Sequence, residues 1–298
     1  MKYKYPYTIK LFSLSILTFL LTSWSFSEEH VDIQSVYTSF NYEIDLSFSF
    51  EGTGQEAVLE AYLPMSDDRQ HIRLVNQYMA NFELQRLDDE NGQRLQWRHR
   101  QATGMQTIHY TFQFSGSGAD YKVPAVLASM EDYPYEVQSY REATPSIPSE
   151  SSFIRRKASE LTGSDQPVLA ILESLYTYTN NLPNQPGPAF ASLFNGRKDW
   201  KNYLLIALCR AKGIPARVVN GLEIESAGAY QTRQWAELYV DGTWIPFDAS
   251  AQHFAYLPGN YLTIYRGETP ALQYSANLTV RTQIEIVPGQ RLIGRLER

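Results

Sequence analysis

The chain has few of the residues that build disulfides and metal sites. Its 298 residues include a single cysteine, Cys209, so no disulfide can form within the chain and the redox compartment stays undetermined. The five histidines lack the spacing of a metal site, such as two histidines four residues apart on a helix. We therefore expect no bound metal and no cofactor.

Positive charge is also scarce. The sequence has 26 Lys and Arg against 32 Asp and Glu, a formal net charge of -6 and a pI near 5.5. Its most basic cluster, Arg155–Lys157, is more simply a solvated helix face than a binding patch. Non-specific nucleic-acid binding needs a basic surface, so we expect no nucleic-acid partner.

Long hydrophobic runs are missing as well. The apolar run Leu11–Leu21 has 11 residues, fewer than the about 20 that a membrane-spanning helix requires. Three lysines precede the run and small residues follow it at Ser25 and Ser27, which is typical of a secretion signal. We predict an exported protein of the periplasm or cell envelope, cleaved to begin near Glu28. It would be membrane-anchored instead if the signal is retained.

What the chain does contain is enough apolar side chain for a sizeable core, at 43% hydrophobic and 13% aromatic residues. Apolar and polar residues alternate at 36–50 and 107–114, as in half-buried strands. Two prolines in Thr144–Ser149 interrupt regular structure. The predicted fold class is α+β, with a signal segment at 1–27, an antiparallel β-sandwich-like domain at 28–144 and an α+β domain at 150–298.

Individual elements follow from periodicity, turn residues and caps. Strands are predicted at Val58–Leu63, Phe82–Leu87, Arg94–His99, Ala216–Ile224, Trp235–Val240 and Thr243–Phe247, and helices at Ser151–Leu161, Gln166–Asn180 and Lys198–Lys212. Residues 181–188 are predicted as a loop. Asp241-Gly242 predicts a tight hairpin between the last two strands.

Two stretches carry the strongest motif, NGRKDWKNYLLIALCRAKGIPARVVNG at Asn195–Gly221 and RQWAELYVDGTWIPFDAS at Arg233–Ser250. Together they resemble the transglutaminase-like domain of the papain superfamily. That family opens a helix with G-x-C, continues R-A-x-G-I-P-A-R into a strand, and adds H-A-W-x-E and W-x-x-F-D. Aligned on these motifs, the family's cysteine falls on Lys198 and its histidine on Arg233, while its acid is retained as Asp248.

Those two substitutions remove the chemistry that the resemblance would imply. A thiolate nucleophile needs a helix N-terminus and a neighbouring imidazole that an acid orients. Lysine brings a cation to the positive end of the helix dipole, and arginine cannot act as a base near neutral pH. We therefore interpret the domain as catalytically silent, with Lys198, Arg233 and Asp248 as degenerate triad positions. Cys209 is predicted to be a buried structural residue.

Upstream and downstream segments refine the resemblance. NFELQRLDDENGQRLQWRHRQATGMQTIHY at Asn81–Tyr110 and YLPGNYLTIYRGETPAL at Tyr256–Leu272 are similar to the extracytoplasmic part of the family described as inactive transglutaminase fused to seven transmembrane helices. No seven apolar spans accompany them here, so we do not carry over a membrane role of the fused form. By family description, those relatives are associated with peptide-ligating enzymes, which implies a peptide ligand by analogy.

Two functions remain open at this point. The first is a non-catalytic exported protein that binds or scaffolds a peptide, a cell-wall fragment or a membrane protein partner, with ligand contacts at Lys198, Trp200, Arg233, Trp235 and Asp248. The second is a divergent hydrolase or acyltransferase with a relocated site that uses Lys198 or Ser192 together with Asp248. The substitutions also predict that Arg233 pairs with Asp248 where the imidazole would lie.

Overall fold

The computed structural model describes residues 31–123, 133–163, 166–194 and 196–289, so the predicted signal segment lies outside the described residues. The strands are β1 (Asp32–Thr53), β2 (Ala57–Leu63), β3 (Gln70–Tyr78), β4 (Glu83–Arg86), β5 (Gln93–His99), β6 (Thr103–Lys122), β7 (Ala216–Ile224), β8 (Tyr230–Val240), β9 (Thr243–Phe247), β10 (Tyr256–Leu257), β11 (Tyr261–Arg266), β12 (Leu272–Tyr274) and β13 (Arg281–Pro288). The α-helices are α1 (Ser152–Leu161), α2 (Val168–Asn180), α3 (Pro188–Phe194) and α4 (Trp200–Ala211), and short 3-10 helices lie at Tyr135–Arg141 and Ser226–Gly228. The predicted α+β class is confirmed.

The first half of the chain forms two antiparallel sheets that share a core. One has the order β10-β6-β1-β13, with β3 also on β6, and the other the order β12-β2-β5-β4. The alternation predicted for 36–50 is observed in β1, where Ile44, Phe48 and Phe50 are buried. Their side chains pack with Trp97 and Phe112 from the opposite strands. The predicted hairpin of Phe82–Leu87 and Arg94–His99 is confirmed by the pairing of β4 with β5.

The second half packs helices on a third sheet, of order β11-β7-β8-β9. α4 is buried from Trp200 to Arg210, because α1 and α2 cover one side of it and the sheet the other. Ser151 caps α1 through its side chain, which accepts from the Ile154 N–H. Gly213, at φ +80°, ends α4 in the left-handed conformation that glycine adopts without steric cost.

Several elements differ from prediction. α4 begins at Trp200, two residues after Lys198, and β8 begins at Tyr230 rather than Trp235. α3 occupies a stretch for which no helix was predicted. β3 and β10 to β13 were not predicted either, because their partners are distant in sequence. The Asp241-Gly242 turn is confirmed, with φ of 48° and 78°, as a type I′ hairpin requires.

The last strands return to the first half of the chain. β12 pairs with β2, β13 with β1, and β10 with β6, all antiparallel. The two halves are therefore interlocked through their sheets as well as joined in sequence. The predicted boundaries at 144 and 150 stay a prediction. No helix within the described ranges has the length and apolarity to span a bilayer.

Candidate functional site

The candidate site is a cleft at the N-terminal end of α4. It has a volume of about 600 Å³ and is lined by Asn184, Gln185, Pro186, Gly196, Arg197, Lys198, Asp199, Trp200, Lys201, Arg233 and Ser250. The sequence-predicted residues Lys198, Trp200 and Arg233 thus meet in one place. Four lining side chains are cationic by type and one, Asp199, is acidic.

Lys198 lies just before α4 and reaches across to β8. Its Nζ donates to Gln231 Oε1 and to the Thr232 carbonyl, both at 3.3 Å. Both acceptors are neutral, and no carboxylate of the described residues is in ion-pair contact with this ammonium. Its positive charge is therefore available to a ligand in the cleft.

Arg233 does not pair with Asp248, and that prediction is wrong. Its guanidinium binds Glu223 through Nε at 2.7 Å and through a second nitrogen at 2.6 Å, and lies 3.6 Å from Asp199. The strand register explains the choice, because Arg233 lies opposite Gly221, which has no side chain, and reaches diagonally to Glu223 on the same face. Burial lowers the pKa of Arg233, but the bond to Glu223 and the charges of Tyr261, Glu223 and Asp248 together outweigh it and leave the pKa raised.

Asp199 is an acid of the cleft that was not predicted as a site residue. It immediately precedes α4, is buried, and accepts the backbone N–H of Gln234 on Oδ2 at 3.0 Å. Burial and the Asp248 charge raise its pKa, and the Gln234 bond and the charges of Arg233 and Lys198 oppose that rise. Its position next to the family's cysteine position was the available signal.

Asp248 lies beneath the cleft and is fully buried. Its Oδ1 accepts from Asn202 Nδ2 at 2.9 Å and from the N–H groups of Ser250 and Ala251 at 3.0 and 3.1 Å. Its Oδ2 accepts from the Tyr261 hydroxyl at 3.2 Å. The carboxylate is thus satisfied inside the protein and does not line the cleft, which corrects its prediction as a ligand contact.

Asn202 connects α4 to β8 and to the turn after β9, and this role was not predicted from the sequence. Its Nδ2 donates to the Gln234 carbonyl at 2.7 Å as well as to Asp248, and its Oδ1 accepts the Ala249 N–H at 2.7 Å. A polar residue at the start of the apolar run YLLIAL was the signal that could have found it.

The two predicted tryptophans differ in role. Trp200 lines the cleft but is only 2% exposed, and its indole N–H donates to the Asn184 carbonyl at 2.7 Å. Trp235 is fully buried against Tyr261, with ring centroids 5.5 Å apart, and lines no part of the cleft. The prediction that Trp235 contacts ligand is therefore wrong, since its strand turns it into the core.

The match to known proteins falls on these elements. Residues 155–249, which run from α1 to the end of the Asp248 turn, match the family model of the transglutaminase-like superfamily. These residues form a transglutaminase-like domain. No curated protein matches the chain significantly. The further resemblance to the family fused to seven transmembrane helices stays a prediction.

Solved structures extend the likeness to the fold of most of the chain. A protein from Cytophaga hutchinsonii, described as a "putative cysteine protease", aligns at a TM-score of 0.62 and 14% identity over 87% of this chain and 92% of its own. A "putative protease" from Parabacteroides distasonis aligns at a TM-score of 0.28 and 14% identity over 72% and 48%. At such identity the first likeness shows a shared fold alone.

The remaining candidate nucleophiles lie away from the cleft of the transglutaminase-like domain. Cys209 is fully buried in the core around α4, where burial raises the pKa of its thiol, so its structural interpretation is confirmed. Ser192 donates to the Ala189 carbonyl at 3.0 Å, inside its own short helix. The structure does not bring Ser192 or Lys198 into contact with Asp248.

His253 does approach Asp248, through two backbone bonds of 2.8 and 2.9 Å. Burial lowers the pKa of its imidazole, and the Asp248 charge opposes that shift. In the part of the chain that the structure describes, no group of His, Cys, Asp and Glu side chains has the arrangement of a metal site.

Proposed function

We propose that this protein is a non-catalytic transglutaminase-like binding protein whose cleft holds the carboxylate of a peptide-like ligand. The observation that carries the proposal is Lys198, an exposed ammonium at the cleft whose two hydrogen-bond acceptors are both neutral. Arg197 adds a second cation beside it, stacked 4.2 Å from the centre of the Tyr203 ring. An anion in the cleft gains charge-assisted hydrogen bonds from such groups.

We expect no catalytic turnover because of the residues at the former catalytic positions and the burial of the one thiol. A thiol as deeply buried as that of Cys209 reaches neither the cleft nor solvent. Lysine and arginine occupy the positions that the sequence alignment assigns to the nucleophile and the base. A peptide is favoured over other anions by fold analogy, because the structural neighbour described as a "putative cysteine protease" would act on peptides.

Binding can be tested by titrating the protein with a short acetylated peptide that ends in serine. We expect the free acid to bind and its C-terminal amide to bind about tenfold more weakly, since one charge-assisted contact is worth about that factor. Lys198→Met should remove the preference, while Lys212→Met, after the other end of α4, should keep it. Equal binding of acid and amide would contradict the proposal.

The same preparations test the enzymatic alternative. Incubation with the peptide and with glutamine-containing substrates should release no product and form no acyl transfer product by mass spectrometry. Turnover that disappears in Lys198→Ala and persists in Cys209→Ala would establish the divergent enzyme instead. Such a result would make Lys198 the reacting group.

Location outside the cytoplasmic membrane is part of the proposal and is supported by the N-terminal sequence pattern. The protein isolated from envelope fractions should begin near Glu28, as measured by intact mass. Full-length protein that stays with the inner membrane would indicate a retained anchor and favour a membrane protein partner.

A further inference from the structure

A second cavity of about 360 Å³ lies between the transglutaminase-like sheet and the first two sheets. Its walls are mainly apolar and come from both halves of the chain. The apolar side chains include Leu46, Phe48, Leu222, Ile264, Leu272 and Ile284. Protein interiors are close-packed, and an engineered apolar cavity of about 150 Å³ already binds benzene. A cavity of this size and lining is suited to an apolar group from a ligand.

This cavity shares three of its lining residues with the cationic cleft, namely Lys198, Asp199 and Arg233. Arg233 is neutralised by Glu223, and Asp199 accepts from the backbone of Gln234. Lys198 is the shared cation that has no ion pair among the described residues. A ligand that spans the junction would therefore need an anionic group beside Lys198 and an apolar group beyond it.

The edge of β8 offers backbone contacts at the same junction. Beyond Ala236, β8 pairs with β9, but residues 230–235 pair only with β7. Gln234 turns its N–H and carbonyl away from β7, to Asp199 and Asn202. By the two-residue period of a strand, Thr232 turns its backbone the same way, and its carbonyl accepts from Lys198. The two Gln234 groups and this carbonyl are thus occupied, which leaves the Thr232 N–H for a ligand.

We propose that the apolar cavity takes the side chain of a large apolar C-terminal residue, so that the ligand is a peptide with a free α-carboxylate held at Lys198. This inference rests on the proposed function and names its ligand class. An alkyl carboxylate would match the charge and the apolar walls, but only a peptide also has a carbonyl that can accept the Thr232 N–H at the β8 edge. The cavity volume falls in the ordinary range for small-ligand pockets.

The test compares acetylated tetrapeptides that differ only in the last residue, phenylalanine or serine, with decanoate as an apolar anion without a peptide backbone. We expect the phenylalanine peptide to bind at least about tenfold more tightly than the serine peptide, because burial of its ring adds apolar contact. Calorimetric titration of the full chain measures all three ligands.

A matched pair of variants tests whether the preference for the phenylalanine peptide depends on the apolar cavity. Thr282 lines the cavity from β13 and is exposed, and Gln283 is its exposed neighbour on the opposite face of the strand. Thr282→Trp should fill the cavity and abolish the preference for phenylalanine, whereas Gln283→Trp should retain it. If circular dichroism shows that Thr282→Trp does not fold, Ala271→Trp fills the cavity from another exposed lining position.

The outcomes separate this inference from the proposed function. Equal affinity for the two peptides, with the Lys198 dependence intact, overturns the inference and leaves the function standing. Binding of neither peptide overturns both. Decanoate that binds more tightly than either peptide, and is blocked by the cavity-filling variant, identifies the occupant as an alkyl carboxylate and overturns the peptide assignment.

Discussion

Glu237→Gln should lower the free energy of unfolding by about 3 kcal/mol, the cost of breaking a buried ion pair from one side. The Glu237 carboxylate is 8% exposed and bridges two arginines. Arg217 binds its Oε2 at 2.6 and 2.7 Å, and Arg266 binds the same oxygen at 3.2 Å. The amide leaves Arg217 without a neutralising charge and Arg266 with only Asp67, 3.4 Å away. Arg217 is further fixed over the Trp244 ring, 3.9 Å from its centre.

A surface pair on the first half of the chain is the matched control. Arg98 and Glu56 are 2.6 Å apart with side chains about half exposed, so Glu56→Gln should cost less than about 1 kcal/mol. Urea denaturation of both variants and the wild type provides the comparison. Equal losses in the two variants would contradict the role assigned to Glu237.

Low pH should destabilise the wild-type protein in part as Glu237→Gln does, because it protonates the same carboxylate. Burial raises the pKa of Glu237, but Arg266 and Arg217 outweigh it and hold the pKa at about 2. A glutamate in the unfolded chain has a pKa of about 4.3. The stabilisation is therefore complete above that value and is lost as the pH falls through it towards about 2. Glu237→Gln should show a smaller loss of stability across this range.

Asp248→Ala is expected to cost about 3 kcal/mol, while Lys198→Ala costs no more than about 0.5 kcal/mol. Removal of the carboxylate leaves the Asn202 amide, two backbone N–H groups and the Tyr261 hydroxyl without their buried acceptor. Lys198 is exposed and binds only neutral acceptors. The loss of Asp248 does not strand Arg233, because Arg233 binds Glu223.

Asp248→Asn separates acceptor geometry from charge. The amide oxygen can still accept from Asn202 and the two backbone groups, so its loss should be well below that of Asp248→Ala. Thermal and urea unfolding of the three variants measure the order. If Lys198→Ala lowers the free energy of unfolding as much as Asp248→Ala does, Lys198 contributes to stability and the expectation is wrong.

Local patterns predicted the parts of the fold that depend on neighbours in sequence. The bounds of β7 and β9 match the prediction residue for residue, because local turn residues precede both strands, Gly213 before β7 and Asp241-Gly242 before β9. The N-cap Ser151 and the left-handed Gly213 are equally local. By contrast, β12 and β13 are defined by partners more than 200 residues away, which no local pattern reports.

The site shows the same division. Motif spacing predicted that Lys198 and Arg233 lie at one site. The acid with which each cation pairs depends instead on strand register and burial. The pairing of Arg233 with Glu223 could have been predicted from the register of the β7–β8 hairpin, which places the two residues diagonally on one face. Asp199 and Asn202 were not identified, because their roles arise from the packing of α4 against β8.

The pairing of β12 and β13 with the first two sheets affects when those sheets can be completed during synthesis of the chain. A ribosome delivers β1 and β2 early, yet the strands that cover one edge of each emerge only with residues 272–288. Until then both edges expose unpaired backbone groups, the kind of surface that recruits other chains. We therefore expect the first two sheets to be completed only near the end of translation.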